Sequence, residues 1–255
     1  MTSVRTIDLN ADLGEHDGDG ASADSAMLDV VSSANIACGA HAGSREVMDL
    51  TVKAALSRGV AIGAHPSYPD REGFGRRELG MNLDHILASV RDQIIALSLC
   101  CSSAGARLSY VKPHGALYNR ASRDAELAKA LAACVAEIDS SLTMLALGGS
   151  SLEYESLNTG LSVAREAFID RGYTSDGMLV PRGSEGAIIA DVASAARRAL
   201  VIARDHKIEA VDGSPFDARA DSLCVHGDSP NALEIVHAAR MELEAAGFTI
   251  APFAR

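Results

Sequence analysis

Apolar residues along this chain recur in short runs that alternate with stretches of helical spacing. Arg5 to Asn10 reads as a first strand, and Val60 to Gly63, Leu108 to Val111, Leu142 to Leu147, Leu161 to Ala167 and Ser222 to Val225 read as later ones. Ser25 to Val31, Arg45 to Ser57, Leu83 to Ala104, Arg123 to Ile138 and Glu185 to His206 carry helical periodicity, clearest in Ile86, Val90, Ile94 and Leu97. A helix follows the last strand, with Ser229 as its expected N-cap and Pro230 at its first position. This alternation predicts an α/β protein with a mostly parallel sheet, open or closed, and ligands at the carboxyl ends of the strands. The pattern does not choose between the two architectures.

One strand departs from its apolar neighbours. Ile7-Asp8-Leu9-Asn10-Ala11-Asp12 alternates, so Asp8, Asn10 and Asp12 share one face. Parallel strands are normally covered on both faces, and a buried carboxylate is costly unless paired or coordinated. A carboxylate row facing a pocket is therefore favoured over an edge strand with a wet face. The run opens like a calcium loop, but Leu13 stands where that loop needs glycine. Glu15 to Gly20, acidic and glycine-rich, reads as a solvated loop or a lid.

Composition narrows the class. A chain of 255 residues, 47% hydrophobic and 22% charged, is expected to form one domain over 1–255. No signal-peptide pattern or membrane-spanning run is read, and the five unevenly spaced cysteines do not form a disulfide framework, so a cytoplasmic protein is expected. A net charge of −11 without a Lys/Arg cluster argues against nucleic-acid binding. An anionic substrate would need local cations, which directs attention to Lys112 and the Arg76-Arg77 pair.

The chemistry-bearing residues lie in short motifs around the predicted strand ends. Ala34 to Gly43 surrounds Asn35 and His41 with small residues; Cys38 within it reads as inert packing rather than a nucleophile. Ala64 to Arg77 presents His65, Asp70 and Arg76 on a loop stiffened by two prolines, suited to an anion beside an acid–base group. Its Gly73-Phe74-Gly75 lacks the context of a dinucleotide fingerprint. Lys112 and His114, two residues apart, place a cation and a titratable ring on the same side of an extended segment, with a surface lysine and a capping histidine as the bland alternative. The Gly148-Gly149 turn is a weak anion-site candidate. Glu166, Asp170 and Arg171 follow another strand, and His226 and Asp228 precede the last helix.

Taken in order, Asp8 to Glu15, Ala34 to Gly43, Gly63 to Arg77, Val111 to Asn119, Glu166 to Tyr173, Leu179 to Arg182 and Cys224 to Pro230 resemble the LamB/YcsF family over essentially the whole chain. The resemblance implies a distorted seven-stranded β/α (TIM-like) barrel related to polysaccharide deacetylases. It implies the activity of the A subunit of 5-oxoprolinase: 5-oxo-L-proline, ATP and water give L-glutamate, ADP and phosphate, with Mg²⁺ and with separate B and C subunits. At Ala40 to Arg45 the chain departs from the common family pattern, which has Phe first and an acidic-Pro pair last.

ATP-coupled opening of a lactam would phosphorylate the amide oxygen and let water attack the activated carbon. On that basis Lys112 and Arg76 are expected to clamp phosphate, His65 or His114 to transfer protons, and Asp12 with Asp8 to orient water or Mg²⁺. Glu15, Asn35, Asp70, Glu166, Asp170, Arg171, His226 and Asp228 are expected to bind substrate or phosphate, with Asn10 and His41 in the catalytic set. Two alternatives stay open. Asp12, His41 and His65 could hold a divalent metal that activates water without ATP. The chain could instead be a non-catalytic, substrate-binding component.

Overall fold

A computed structural model describes residues 5–16 and 21–254. Ten strands and eight helices occur among them in the order β1 (Arg5–Leu13), α1 (Ala21–Leu28), β2 (Ser33–Ala37), α2 (Arg45–Ser57), β3 (Ala61–His65), α3 (Leu83–Ala104), β4 (Leu108–Val111), α4 (Gly115–Ala121), α5 (Ala125–Ile138), β5 (Thr143–Leu147), α6 (Ser151–Thr159), β6 (Ser162–Phe168), α7 (Val192–Asp205), β7 (Lys207–Glu209), β8 (Pro215–Asp217), β9 (Ser222–Val225), α8 (Ala232–Ala245) and β10 (Phe248–Ile250). Strands β1, β2, β3, β4, β5, β6 and β9 pair in parallel, and β9 pairs again with β1. The sheet is thus a closed seven-stranded barrel. It distorts at β1, whose first residues Arg5–Ile7 pair with β10 while Asp8–Ala11 pair with β9.

Local chemistry sets most helix ends. Ser44, Asn82, Asp124, Ser150 and Asp191 cap α2, α3, α5, α6 and α7 by accepting a backbone N–H, and Gly105 and Gly160 supply left-handed C-caps. Helix α3 is long and apolar enough to cross a membrane by length and composition, yet its Ile86, Val90, Ile94 and Leu97 stripe joins the main hydrophobic core, as in a core helix.

Two expectations are corrected. The helix expected from Glu185 begins at Val192, because Arg171 and Gly172 hold the carbonyl of Ala187 and pull that segment into the loop before α7. The last helix begins at Ala232 behind Asn231, whose φ is 60°; the Ser229 hydroxyl donates to Asp170 instead of capping. Strand β2, helix α4, the β7–β8 hairpin and β10 are short elements that periodicity does not pick out.

The polar row of β1 turns into the barrel. Asn35 Nδ2 donates to Asn10 Oδ1 at 2.7 Å and to Asp12 Oδ1 at 2.8 Å, while the Tyr110 hydroxyl donates to Asn35 Oδ1 at 2.7 Å. Below them the hydroxyls of Ser32, Ser33 and Ser222 all donate to Asp8. Phe253 lies edge-on to Tyr110, with ring centroids 4.9 Å apart. The Tyr110 ring occupies the space a side chain at Gly63 would take: a Cβ there would lie 2.1 Å from Cε2. Gly63→Ala is therefore expected to cost about 1–3 kcal/mol through forced repacking, read as a lower urea midpoint; an unchanged midpoint would refute this account of the glycine.

Candidate active site

The barrel mouth collects Asp12 from the end of β1, His65 from β3, Lys112 just past β4, Glu166 from β6 and His226 just past β9. Lys112 is the hub. Its Nζ lies 2.8 Å from Glu166 Oε1, 3.0 Å from Asp12 Oδ1 and 3.2 Å from Cys224 Sγ, and 5.1 Å above the centre of the Phe168 ring. The Glu166 contact is an ion pair outside hydrogen-bond angles, since Oε1 accepts no hydrogen bond, while Oε2 accepts one from Tyr118 at 2.8 Å. Burial works against the ammonium, but Asp12, Cys224 and Glu166 outweigh it and lift its pKa well above the ordinary lysine value. Burial would likewise raise Asp12, yet His65 and Lys112 hold its carboxyl well below the usual range. Both groups are charged at neutral pH.

Beside this ion pair lies a cluster of three histidines. His41 and His114 stack with centroids 3.8 Å apart, and His65 meets both edge-on. The hydrogen-bond network assigns their protons. The Ser67 hydroxyl donates to the Tyr68 carbonyl at 2.9 Å, so it accepts from His41 Nδ1 at 2.8 Å. His41 Nε2 lies 3.0 Å from Glu15 Oε1, and the pair shares a proton. The shifts agree with this assignment: burial takes His41 down to about 4, while burial and the Asp12 charge push Glu15 up to about 7.

His65 Nδ1 donates to the Lys112 carbonyl at 2.7 Å, and His114 Nε2 donates to the Phe74 carbonyl at 2.9 Å. Phe74 has a φ of 55°, an unusual conformation for a bulky residue, in the loop that brings this carbonyl to His114. The remaining nitrogens, His65 Nε2 and His114 Nδ1, face each other at 2.9 Å. Burial, reinforced by His41 and His65, depresses the His114 pKa well below its ordinary value. His65 Nε2 also lies 3.3 Å from Asp12 Oδ1, so this nitrogen meets a second imidazole and a carboxylate together, a place for a shared proton or a cation. Asp12, Glu15, His65 and His114 each offer one ligand atom, all within 4.8 Å of one another. Two imidazole nitrogens and two carboxylate oxygens, with the outer N–H of each ring tied to a carbonyl, fit a small divalent cation such as zinc.

Above the cluster opens a cavity of about 300 Å³, of small-molecule size. Asp12, His65, Lys112 and His114 line its floor, with Arg76, Arg171, Arg182 and His226 also on its wall. Asp170 fixes the His226 ring, accepting from its Nδ1 at 3.1 Å, and also accepts from the Ser229 hydroxyl.

The expected residues divide into several groups. Asn10, Asp12, Glu15, Asn35, His41, His65, Lys112, His114 and Glu166 form one buried network, and Asp170, Arg171, His226, Arg76 and Asp228 flank it. Asp8 stands apart, four residues down β1. Asp70 clasps Arg77 and the Gly73 N–H within its own loop, and the Arg77 hydrogen bonds hold its carboxyl at about 2. The metal set expected from Asp12, His41 and His65 is corrected: His41 is engaged by Ser67 and Glu15, and Glu15 with His114 completes the cluster. Cys38 is inert, its thiol pushed up to about 12 by burial. The Gly149 N–H donates to Glu153 rather than waiting for an anion. Glu15 and His16 of the acidic stretch are described, and 17–20 lie outside the described residues.

Sequence reading assigned no site role to Tyr118, Phe74, Cys224 or Arg182, although all fall within its motifs, nor to Tyr110 in the predicted strand before Lys112. It also passed over Gln93, a polar residue on the buried stripe of α3, which exchanges two hydrogen bonds with the Ser67 backbone and so steadies His41.

A closed parallel β/α-barrel with a carboxylate–histidine–lysine centre at its strand ends defines the class: a barrel protein built for chemistry at its mouth. The LamB/YcsF family model matches residues 7–255, and the chain belongs to that family. It is 47% identical over 249 residues to a protein of Paracidovorax citrulli AAC00-1 named as the A subunit of 5-oxoprolinase, covering 97% of this chain and 99% of that one. It is 48% identical to the Methylococcus capsulatus Bath protein of the same name, covering 97% and 96%. The crystal structure of the lactam utilization protein from Thermus thermophilus superposes with a TM-score of 0.90 at 44% identity, covering 97% of this chain and all of that one.

Proposed function

We propose that this chain is the A subunit of a cytoplasmic 5-oxoprolinase, which opens 5-oxo-L-proline to L-glutamate with hydrolysis of ATP, in complex with separate B and C subunits. The near-complete similarity to relatives named for that role supports the reading. The observation that carries it is the cavity floor, where a paired ammonium meets a chain of groups that share protons. Opening a lactam requires attack by water and a proton for the leaving nitrogen. Asp12, held ionised, orients water; His65 and His114 line the cavity and pass protons, with Glu15 holding one in reserve behind them. Lys112 faces the oxygen that ATP, supplied with Mg²⁺, would phosphorylate, and Arg76 stands on the cavity wall beside Arg182. Asp8 takes no part in these steps, because it lies at the other end of the barrel interior.

The test is reconstitution. Glutamate and ADP should accumulate together only when 5-oxo-L-proline, ATP and all three subunits are present. ATP hydrolysis indifferent to 5-oxo-L-proline would overturn the assignment.

The convergence of four ligand atoms at the cluster favours a second reading, a metal-dependent amide hydrolase. Asp12, Glu15, His65 and His114 would hold the ion, which when bound lowers the pKa of water and polarises a carbonyl. Zinc at about 100 times its Kd should then stabilise the protein by about 2.7 kcal/mol, seen as a raised Tm that His65→Ala abolishes. Equal responses from both proteins would exclude a metal centre at this cluster.

A further inference from the structure

The segment between β6 and α7 folds over the barrel mouth and carries charge that the floor chemistry does not use. Arg171 pins it, with Nε donating to the Ala187 carbonyl at 3.0 Å and a terminal nitrogen donating to the Val180 carbonyl at 2.7 Å. Gly172 lets the two arms close, since a Cβ there would lie 2.0 Å from the Gly186 carbonyl oxygen. The pinned segment delivers Arg182 to the cavity wall beside Arg76. Asp228 pairs with both guanidiniums, at 3.3 Å to Arg182, without itself lining the cavity. The two forks are therefore held in place at the cavity wall, Arg76 also lying over the Phe74 ring at 4.8 Å.

The charge count on the wall is lopsided. Arg76, Lys112, Arg171 and Arg182 face the cavity against one carboxylate, Asp12, in a protein of net charge −11. Burial and then the nearby Arg182 lower the Arg171 pKa, against the opposing pull of Asp170 and with a smaller push from Arg76, so the three guanidiniums lie within reach of one another's charge. Asp228 compensates Arg76 and Arg182 from behind the wall with a single carboxylate for two guanidiniums, so an anion in the cavity would supply the second. Since Lys112 is already committed to Asp12 and Glu166, the available cationic surface lies at the rim.

We propose that Arg182, together with Arg76, is the specificity determinant of the cavity, binding an oxyanion that stands off the reacting amide, namely the carboxylate of the lactam substrate. The assignment rests on the proposed 5-oxoprolinase activity. A planar guanidinium matches a carboxylate with two parallel hydrogen bonds, and the 300 Å³ cavity then orders the ligand: carboxylate at the arginine rim, ring amide toward Asp12, the histidines and Lys112. Arg171 acts through the loop and is a positioning residue. A phosphate of ATP offers the same oxyanion chemistry, so the experiment must separate the two sources.

In the reconstituted complex, Arg182→Met should raise the KM for 5-oxo-L-proline by about 10- to 100-fold, the effect of losing a charge-assisted contact, with the KM for ATP little changed. The kcat/KM preference for 5-oxo-L-proline over 2-pyrrolidinone, the same lactam without the carboxylate, should fall by a similar factor. Arg182→Lys, which keeps the charge but loses the fork, should recover part of both. If the two lactams are affected equally, or if the change is confined to the KM for ATP, the proposal is overturned while the 5-oxoprolinase assignment stands. If the wild-type complex forms no glutamate at all, the assignment itself has failed.

Discussion

Lys112→Met is expected to lower 5-oxo-L-proline-dependent turnover by at least about 10²- to 10³-fold, the usual loss when a preorganised electrostatic donor is removed, and to destabilise the protein as well. Both effects follow from the burial of Nζ between Asp12 and Glu166. Removing the cation leaves two carboxylates in a low-dielectric site, and breaking a buried ion pair from one side costs about 3–5 kcal/mol. Activity and stability can be separated by a second change. Lys112→Met combined with Glu166→Gln removes one of the two stranded charges, so the urea midpoint should partly recover while glutamate formation does not. Turnover within tenfold of wild type in the single variant would remove Lys112 from the mechanism. Recovery of activity in the double variant would show that its role is only structural.

The second large effect is at the opposite end of the barrel interior. Asp8 is buried among Ser222, Ser32 and Ser33, and burial outweighs their hydrogen bonds to raise its pKa from 3.8 to about 6. A carboxyl whose folded pKa is raised binds its proton more tightly in the native state. The stability it contributes is therefore fully present below pH 3.8 and is lost as the pH rises through 6. With about 1.4 kcal/mol per pKa unit, ionised Asp8 costs about 3 kcal/mol at neutral pH. Asp8→Asn, neutral at every pH, should gain on the wild type between pH 4 and 6 and hold a constant advantage above pH 7. Urea unfolding at pH 5 and pH 8 measures it; an advantage that does not change with pH would show that Asp8 is neutral or ionised throughout.

Much of the site is visible along the chain because its residues are local to strand ends. The row Asp8, Asn10 and Asp12 stands out because its charge contradicts the apolar character of a covered parallel strand, and the structure turns it inward as that contradiction requires. Lys112 and His114 stand out through spacing alone. Local reading cannot distinguish the ends of such a row: Asp12 reaches the mouth while Asp8 lies among serines, although the two are chemically alike and share a face. It also mistakes Asp70, which belongs to a loop clasp, and passes over Gln93, whose role depends on a partner 26 positions away.

By itself, the sequence determined most of the alternating strands and helices, the family to which the chain belongs and the motifs whose polar residues gather at the mouth, because hydrophobic period and residue type are properties of neighbours along the chain. Only the tertiary structure decided that β9 closes on β1, which ring nitrogens carry protons, and that Arg182 reaches the mouth. Barrel closure, tautomers and shared ion pairs depend on distances between segments far apart in the chain. Glu15 shows this most plainly: in sequence it begins a solvated acidic stretch, whereas in the fold it meets His41 and His114 in a buried cluster that pushes its pKa up to about 7.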